Sequence, residues 1–218
     1  MEETNFILLW KEHYTKIEQS LQINKKLLRE TIDQKAMRSM RSLYATKITG
    51  IVLGIIYLFI LGTFLSFALI NFTSAALYFI VSMGAIFLIN LKAVFDYIKH
   101  INWVNNIDFS GNVSDIQTKL AKLKLSIFQH CRTMILQLPF WTTFFLSDKW
   151  FPGEVGWGYI LFQIFITGSF TFTAIWIYRQ LTIENGHKKW VRALIAGSGG
   201  KSVNKALEFY GELEEFKG

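Results

Sequence analysis

Residues 48–91 read ITGIVLGIIYLFILGTFLSFALINFTSAALYFIVSMGAIFLINL, 44 consecutive positions between Lys47 and Lys92 without one charged side chain. In a helix rising 1.5 Å per residue, crossing a hydrocarbon core of roughly 30 Å takes about 20 residues. The stretch is too long for one crossing and long enough for two. Its most polar point, Asn71-Phe72-Thr73-Ser74, predicts a tight turn that divides it into spans at 48–70 and 75–91.

A second apolar region lies further on. Residues 133–147 carry no charge between Arg132 and Asp148. They reach spanning length if the helix begins near Ile127 and Arg132 extends its guanidinium to the headgroups. Residues 155–178 are uncharged throughout and read as a full span. The connector between them holds Pro152-Gly153, a turn signal, flanked by Asp148, Lys149 and Glu154. The expected fold is all-α and polytopic: four transmembrane helices in two hairpins (48–70 with 75–91, 127–147 with 155–178), plus cytoplasmic amphipathic helices in 1–47, 92–126 and 179–218.

Composition agrees with a bilayer as solvent. Of the 218 residues 51% are hydrophobic and only 18% charged, against about 25% in soluble domains. A soluble protein with these helices as its core would need an unusually large apolar interior. The net charge of +7 is explained by its distribution. Nine Lys and Arg fall in 1–47, six in 92–132, seven in 179–218 and one, Lys149, in the 147–154 connector. Basic residues stay on the cytoplasmic side during insertion, so 22 of 23 on one face predict both termini inside. The charge is topological, and no basic stripe with base-reading chemistry points to nucleic acid. Residues 6–10 are apolar but Lys11 follows at once, which does not fit a secretory signal.

Outside the spans, Ile7, Trp10, Tyr14, Ile17, Leu21, Asn24 and Leu28 alternate by three and four. This is a heptad seam with a polar residue, Asn24, where register or oligomer state is set; the plainer reading is a helix lying on its own protein or on the membrane. Ser114-Asp115-Ile116-Gln117 has capping-box spacing, with Val113, Ile116, Leu120, Leu123 and Ile127 following on one face. That helix is expected to run into the third span and to pair with the first cytoplasmic helix. In the tail, Trp190, Leu194 and Ile195 predict a short helix, residues 197–200 a flexible glycine link, and residues 202–216 a last helix with Ala206, Phe209, Leu213 and Phe216 on one side.

Few of these residues form a pattern with readable chemistry. Gly200-Lys201-Ser202 matches the end of a phosphate-binding loop, but the glycine required five positions earlier is Ile195 and no strand precedes it, so it reads as a linker. His13, His100, His130 and His187 show no metal-ligand spacing, and adjacent His130 and Cys131 point about 100° apart on a helix. No paired carboxylates or nucleophile–base arrangement is readable, and no cofactor motif, so catalytic, metal and cofactor residues are all expected to be absent. Within the spans only neutral polar groups occur, notably Asn90, Gln137, Thr143, Gln163 and Thr167. Gln137 and Gln163 are expected to act as packing groups, hydrogen-bonding across the bundle, and Pro139 to kink the third span. Gly50 and Gly54 form a GxxxG pair, extended by Gly62, that lets helix backbones approach closely. Trp150, Phe151 and Trp157 near one membrane face, and Trp176 and Tyr178 near the other, suit the headgroup level.

Leu9-Trp10-Lys11 leading to Lys16-Ile17-Glu18-Gln19-Ser20-Leu21, and Leu136-Gln137-Leu138-Pro139-Phe140-Trp141, together with the four-span layout, resemble a group of uncharacterised bacterial inner-membrane proteins. The resemblance implies a bacterial plasma membrane and adds no active site. The sequence thus predicts a non-enzymatic membrane scaffold or regulatory protein whose cytoplasmic helices bind another copy or a soluble cytoplasmic protein. The alternative is a small transporter or channel for a neutral solute, suggested by Gln137, Gln163 and Pro139. An intramembrane enzyme ranks behind both.

Overall fold

The computed structural model describes the backbone of residues 2–215 and the side chains of residues 10–213. Ile7 of the seam and Phe216 of the terminal face lie outside the described side chains. Among the described residues all regular structure is helical: α1 Glu2–Ile70, α2 Leu77–Asn105, α3 Val113–Ile135, α4 Trp157–Gln180, α5 Lys189–Ala196 and α6 Gly200–Glu215, with short 3₁₀ turns at Ser74–Ala76, Leu138–Thr142 and Glu184–His187.

Three helices are long and apolar enough to cross a membrane: α1, α2 and α4. Their most apolar windows are only 6, 17 and 11% buried within the chain. In a water-soluble protein such windows would form the core. Here Phe59, Phe64, Phe67, Leu161, Phe165 and Phe172 point outward, and lipid is the solvent that suits them. Helix α1 is continuous through Lys47, so its apolar part and its charged part are one rod about 100 Å long. α2 likewise continues past Lys92 to Asn105.

The predicted third span is not one helix. α3 ends at Ile135, and a 3₁₀ turn from Leu138 carries Pro139 in its first positions. The reason is local: proline has no N–H to give to the carbonyl four residues back, and its ring collides with that carbonyl, here Ile135. Beyond this break the chain still follows α2 in the opposite direction. Ser126 bonds His100, Gln137 bonds Asn90, Thr143 bonds Ser82, and the Phe151 ring packs edge-on to Tyr78 at 6.1 Å. Partner numbers fall on α2 nearly one for one as they rise on the other strand of chain. α4 then begins beside this same end, with Tyr159 against Trp150 and Phe151. It finishes near the start of α5, where Trp176 stacks on Trp190.

At the charged ends of the membrane helices lies a second layer with its own core. α1 contributes Ile32, Ala36, Met40 and Leu43, and α3 contributes Val113, Ile116, Leu120, Leu123 and Ile127. α5 and α6 close it with Val191, Ile195, Val203, Ala206, Tyr210 and Leu213. Each set repeats by three and four, so one helical face turns inward. The cap of α3 is Asn112 rather than the predicted Ser114: the Asn112 Oδ1 accepts the Ser114 backbone N–H at 2.9 Å, the usual reach of a capping side chain to the second helical amide. The predicted flexible link at 197–200 is also folded. Gly199 takes φ +89° and lies against Leu43, where a Cβ would come within 2.5 Å of that side chain, and Gly200 already begins α6.

The tail is held to α1 by polar contacts as well. Ser39 Oγ donates to the Ser202 carbonyl at 2.9 Å, and the Tyr210 hydroxyl donates to Asp33 at 2.7 Å. Arg29 donates to Asp33 and, at 2.6 Å, to the Gly111 carbonyl, tying the α2–α3 loop to the same point. Burial first, then the Asp33 carboxylate, pushes the Tyr210 phenol well above its ordinary value. A proton held more tightly in the folded state stabilises the fold fully below the phenol's unfolded pKa near 10 and ceases to do so as pH rises through the folded value. Tyr210→Phe should therefore lower the unfolding midpoint in detergent at neutral pH, by about 1–2 kcal/mol of stability. The gap between variant and parent should narrow above pH 10; a gap constant from pH 7 to 11 would refute the linkage.

Candidate functional site

The first charged segment protrudes. From Trp10 to Leu27 every side chain of α1 is exposed, and the layer beneath the membrane begins to cover the helix only at Leu28, which is half-buried. Of the predicted seam, Trp10, Tyr14, Ile17 and Leu21 are 64, 62, 65 and 50% exposed, and Asn24 is exposed beside them. These residues share one stripe of the arm. At Leu28 the same stripe drifts into the buried face carrying Ile32 and Ala36, so a single rod presents its apolar side first to solvent and then to its own chain.

Further along α1, Gly50, Gly54 and Gly62 face α2. A Cβ on Gly50 would lie 2.5 Å from the Tyr97 ring, one on Gly54 2.8 Å from Val94, and one on Gly62 3.5 Å from Phe87. Close approach at the first two positions brings Lys47 over the face of Tyr97, with Nζ 3.9 Å from the ring centroid. Lys47 is 1% exposed, and its ammonium has no hydrogen-bond partner among the described residues.

Tyr97 opens onto a buried polar junction that sequence reading did not find. Asp96 and His100 lie one turn apart on α2, and Ser126 and His130 one turn apart on α3. His100 Nε2 meets Ser126 Oγ at 2.9 Å, and His130 Nδ1 meets Asp96 Oδ2 at 3.4 Å. Asp96 also accepts from Lys92 at 2.7 Å, and the His130 ring sits 4.7 Å from that of Tyr97. The legible signal was two i,i+4 polar pairs on otherwise apolar faces, but matching them needed the register of α2 on α3. Among the described residues no group of three or more His, Cys, Asp or Glu is placed to hold a metal ion. Cys131 is buried beside this junction as a free thiol.

Deeper in the membrane layer, the polar groups form pairs. Gln137 and Gln163 do not meet. Gln137 Oε1 accepts from Asn90 Nδ2 at 3.1 Å, whereas Gln163 Nε2 donates to the Thr142 carbonyl at 2.6 Å and to Thr167 Oγ1 at 3.1 Å. Thr142 Oγ1 in turn donates to the Pro139 carbonyl at 2.7 Å. Two backbone carbonyls just past the end of α3, those of Pro139 and Thr142, thus accept from side chains. A cavity of about 650 Å³ beside Gln163 and Thr167 is walled mainly by apolar groups, including Phe151, Phe172 and Ile175.

Comparison with protein-family models, with curated proteins and with solved structures gives no match to this chain.

The Lys47 geometry can be tested by magnitude. Desolvating an ammonium costs several kcal/mol, whereas a cation–π contact returns about 2 kcal/mol. Lys47→Met, of similar length, should therefore raise the unfolding temperature of the purified protein. A clear fall would mean that the ammonium finds a polar partner in solution.

Proposed function

We propose that this is a bacterial plasma-membrane scaffold or regulatory protein that acts by binding rather than catalysis, through self-association of its α1 arm. The observation that carries the reading is the exposed stripe Trp10, Tyr14, Ile17, Leu21, with Asn24 in line. Two copies anchored in one membrane with the same orientation project their arms in parallel, so identical positions face each other. Asn24 then opposes Asn24 at a d position, which puts a pair of amides into the otherwise apolar seam. In the same register His13 lies near Glu18 of the second copy, and Ser20 near Lys25, so no like charges oppose.

The proposed topology is four crossings with both termini in the cytoplasm. Its support is the antiparallel course of 126–151 along α2 and the start of α4 beside Tyr78, together with 22 of 23 basic residues on one side. The third crossing would be a helix followed by a 3₁₀ turn, with the Pro139 and Thr142 carbonyls of that turn bonded by side chains. A transporter for a neutral solute is the competing reading. The two glutamines it relies on already use their amides in packing contacts, which favours the scaffold.

Pairing and topology are each open to a direct measurement. Oxidative cross-linking of Ile17→Cys in membranes should give a dimer-sized species, and Gln19→Cys, on the opposite side of the arm, should give far less; equal yields would sink parallel pairing. An impermeant maleimide applied to intact cells should label Asp148→Cys and spare Ser114→Cys. Labelling of both, or of Ser114→Cys alone, would overturn the four-crossing topology.

A further inference from the structure

α6 carries Lys201 and Lys205 one turn apart on its exposed side, between two adjoining cavities. One, about 360 Å³, lies against α5 and includes Arg192; the other, about 400 Å³, lies against α1 and includes Lys35 and Arg38. Glu208 is the one acid lining either cavity. None of the five cations is in an ion pair among the described residues, although Lys16, Arg29, Lys92 and Lys119 all are. Five cations without an ion pair, lining the cavities on the two flanks of α6, create a local positive field that an anion relieves, and the α5–α6 cavity with Arg192 and Lys201 is the groove in which two of them can hold one.

The depth of the groove selects the anion. Gly199, just before α6, packs on Leu43 and reaches Lys47, the last residue before the apolar stretch of α1. On the other side, Trp190 at the start of α5 stacks on Trp176 of α4, with centroids 5.5 Å apart and planes 21° from parallel. Tryptophan prefers the headgroup zone. Ser42, on the rim of the second cavity, is six residues from Ile48, or about 9 Å of helix. The upper groove therefore opens where lipid headgroups begin.

We propose that this groove binds the phosphate headgroup of an anionic phospholipid from the leaflet facing the domain. Arg192 and Lys201 hold the phosphate, the guanidinium offering paired N–H donors to two oxygens. Lys205, Lys35 and Arg38 supply the field that favours a net-negative headgroup over a zwitterionic one. The proposal does not depend on pairing of the arm.

The test uses the full-length protein in mild detergent, titrated in native mass spectrometry with phosphatidylglycerol and with phosphatidylcholine of the same acyl chains. The anionic lipid should bind about tenfold more tightly or better. Arg192→Gln/Lys201→Gln/Lys205→Gln should remove most of that preference, and Lys201→Gln alone should remove part of it; all three side chains are exposed, and the single variant guards against loss of fold in the triple. Lys11→Gln/Lys25→Gln/Lys26→Gln, an equal charge change on the arm, should leave the preference intact. Free glycerol 3-phosphate should compete only weakly. No preference for the anionic lipid, or equal loss in both triple variants, would overturn the proposal. Displacement by micromolar glycerol 3-phosphate would also overturn it, by assigning the groove to a soluble phosphate ester.

Discussion

The close approach of α1 to α2 at Gly50 and Gly54 positions most of the other elements. With no Cβ in the way, the Tyr97 ring and Val94 lie against the α1 backbone, and small residues at such contacts are how membrane helices gain dispersion energy without a hydrophobic drive between them. That contact sets the rotation of α2, and the rotation decides which side of α2 faces α3. Asp96 and His100 then meet His130 and Ser126, and Lys47 is trapped over Tyr97. The layer beneath the membrane is registered on the same rod, since Ile32 to Leu43 of α1 form one wall of its core.

What the sequence made legible is what a bilayer taxes residue by residue. A charge in hydrocarbon is costly wherever it sits, so charge-free length alone marks α1, α2 and α4, and no tertiary information is needed. The three-four repeat in α3 was readable for a similar reason, because the helix turns one face inward; of the face expected in α6, Ala206 and Leu213 are in the core and Phe209 at its edge, while Val203 and Tyr210 fill the rest. The region after Arg132 was harder. Its apolar length suggested a helix, and Pro139 a kink, but the outcome is an end at Ile135 followed by a 3₁₀ turn. Past the break the Pro139 carbonyl is bonded locally by Thr142, whereas the Thr142 carbonyl is bonded by Gln163 of α4, a partner that only the folded bundle brings near.

The junction of Asp96, His100, Ser126 and His130 was illegible for a different reason. Each histidine taken alone showed no metal-ligand spacing, and nothing in one helix announces the register of its neighbour. The glycine-rich stretch at 197–200 misled in the opposite direction: composition suggested freedom, whereas Gly199 is needed for a positive φ beside Leu43. Glycine marks both slack chain and tight contact, and only the neighbour distinguishes them.

The energetics of the arm bear on how it can function. Helices without tertiary support are marginal in water at this length, and the one ion pair among the arm's described residues, Lys16 with Glu12 at 2.7 Å, is fully exposed and adds little. The arm extends a helix already nucleated in the membrane, which removes the costly first turn but adds no burial. Covering Tyr14, Ile17 and Leu21 against a second copy would contribute about 1.5–3 kcal/mol for each aliphatic side chain, less the freedom lost on association. About three heptads give little surplus for two chains meeting in bulk water. On the proposed pairing, anchoring would change the balance: copies confined to one membrane would meet with their arms already parallel, and the raised effective concentration would let a weak seam suffice. A short exposed seam with Asn24 near its membrane-proximal end would then suit reversible association that follows local density in the membrane better than a permanent dimer.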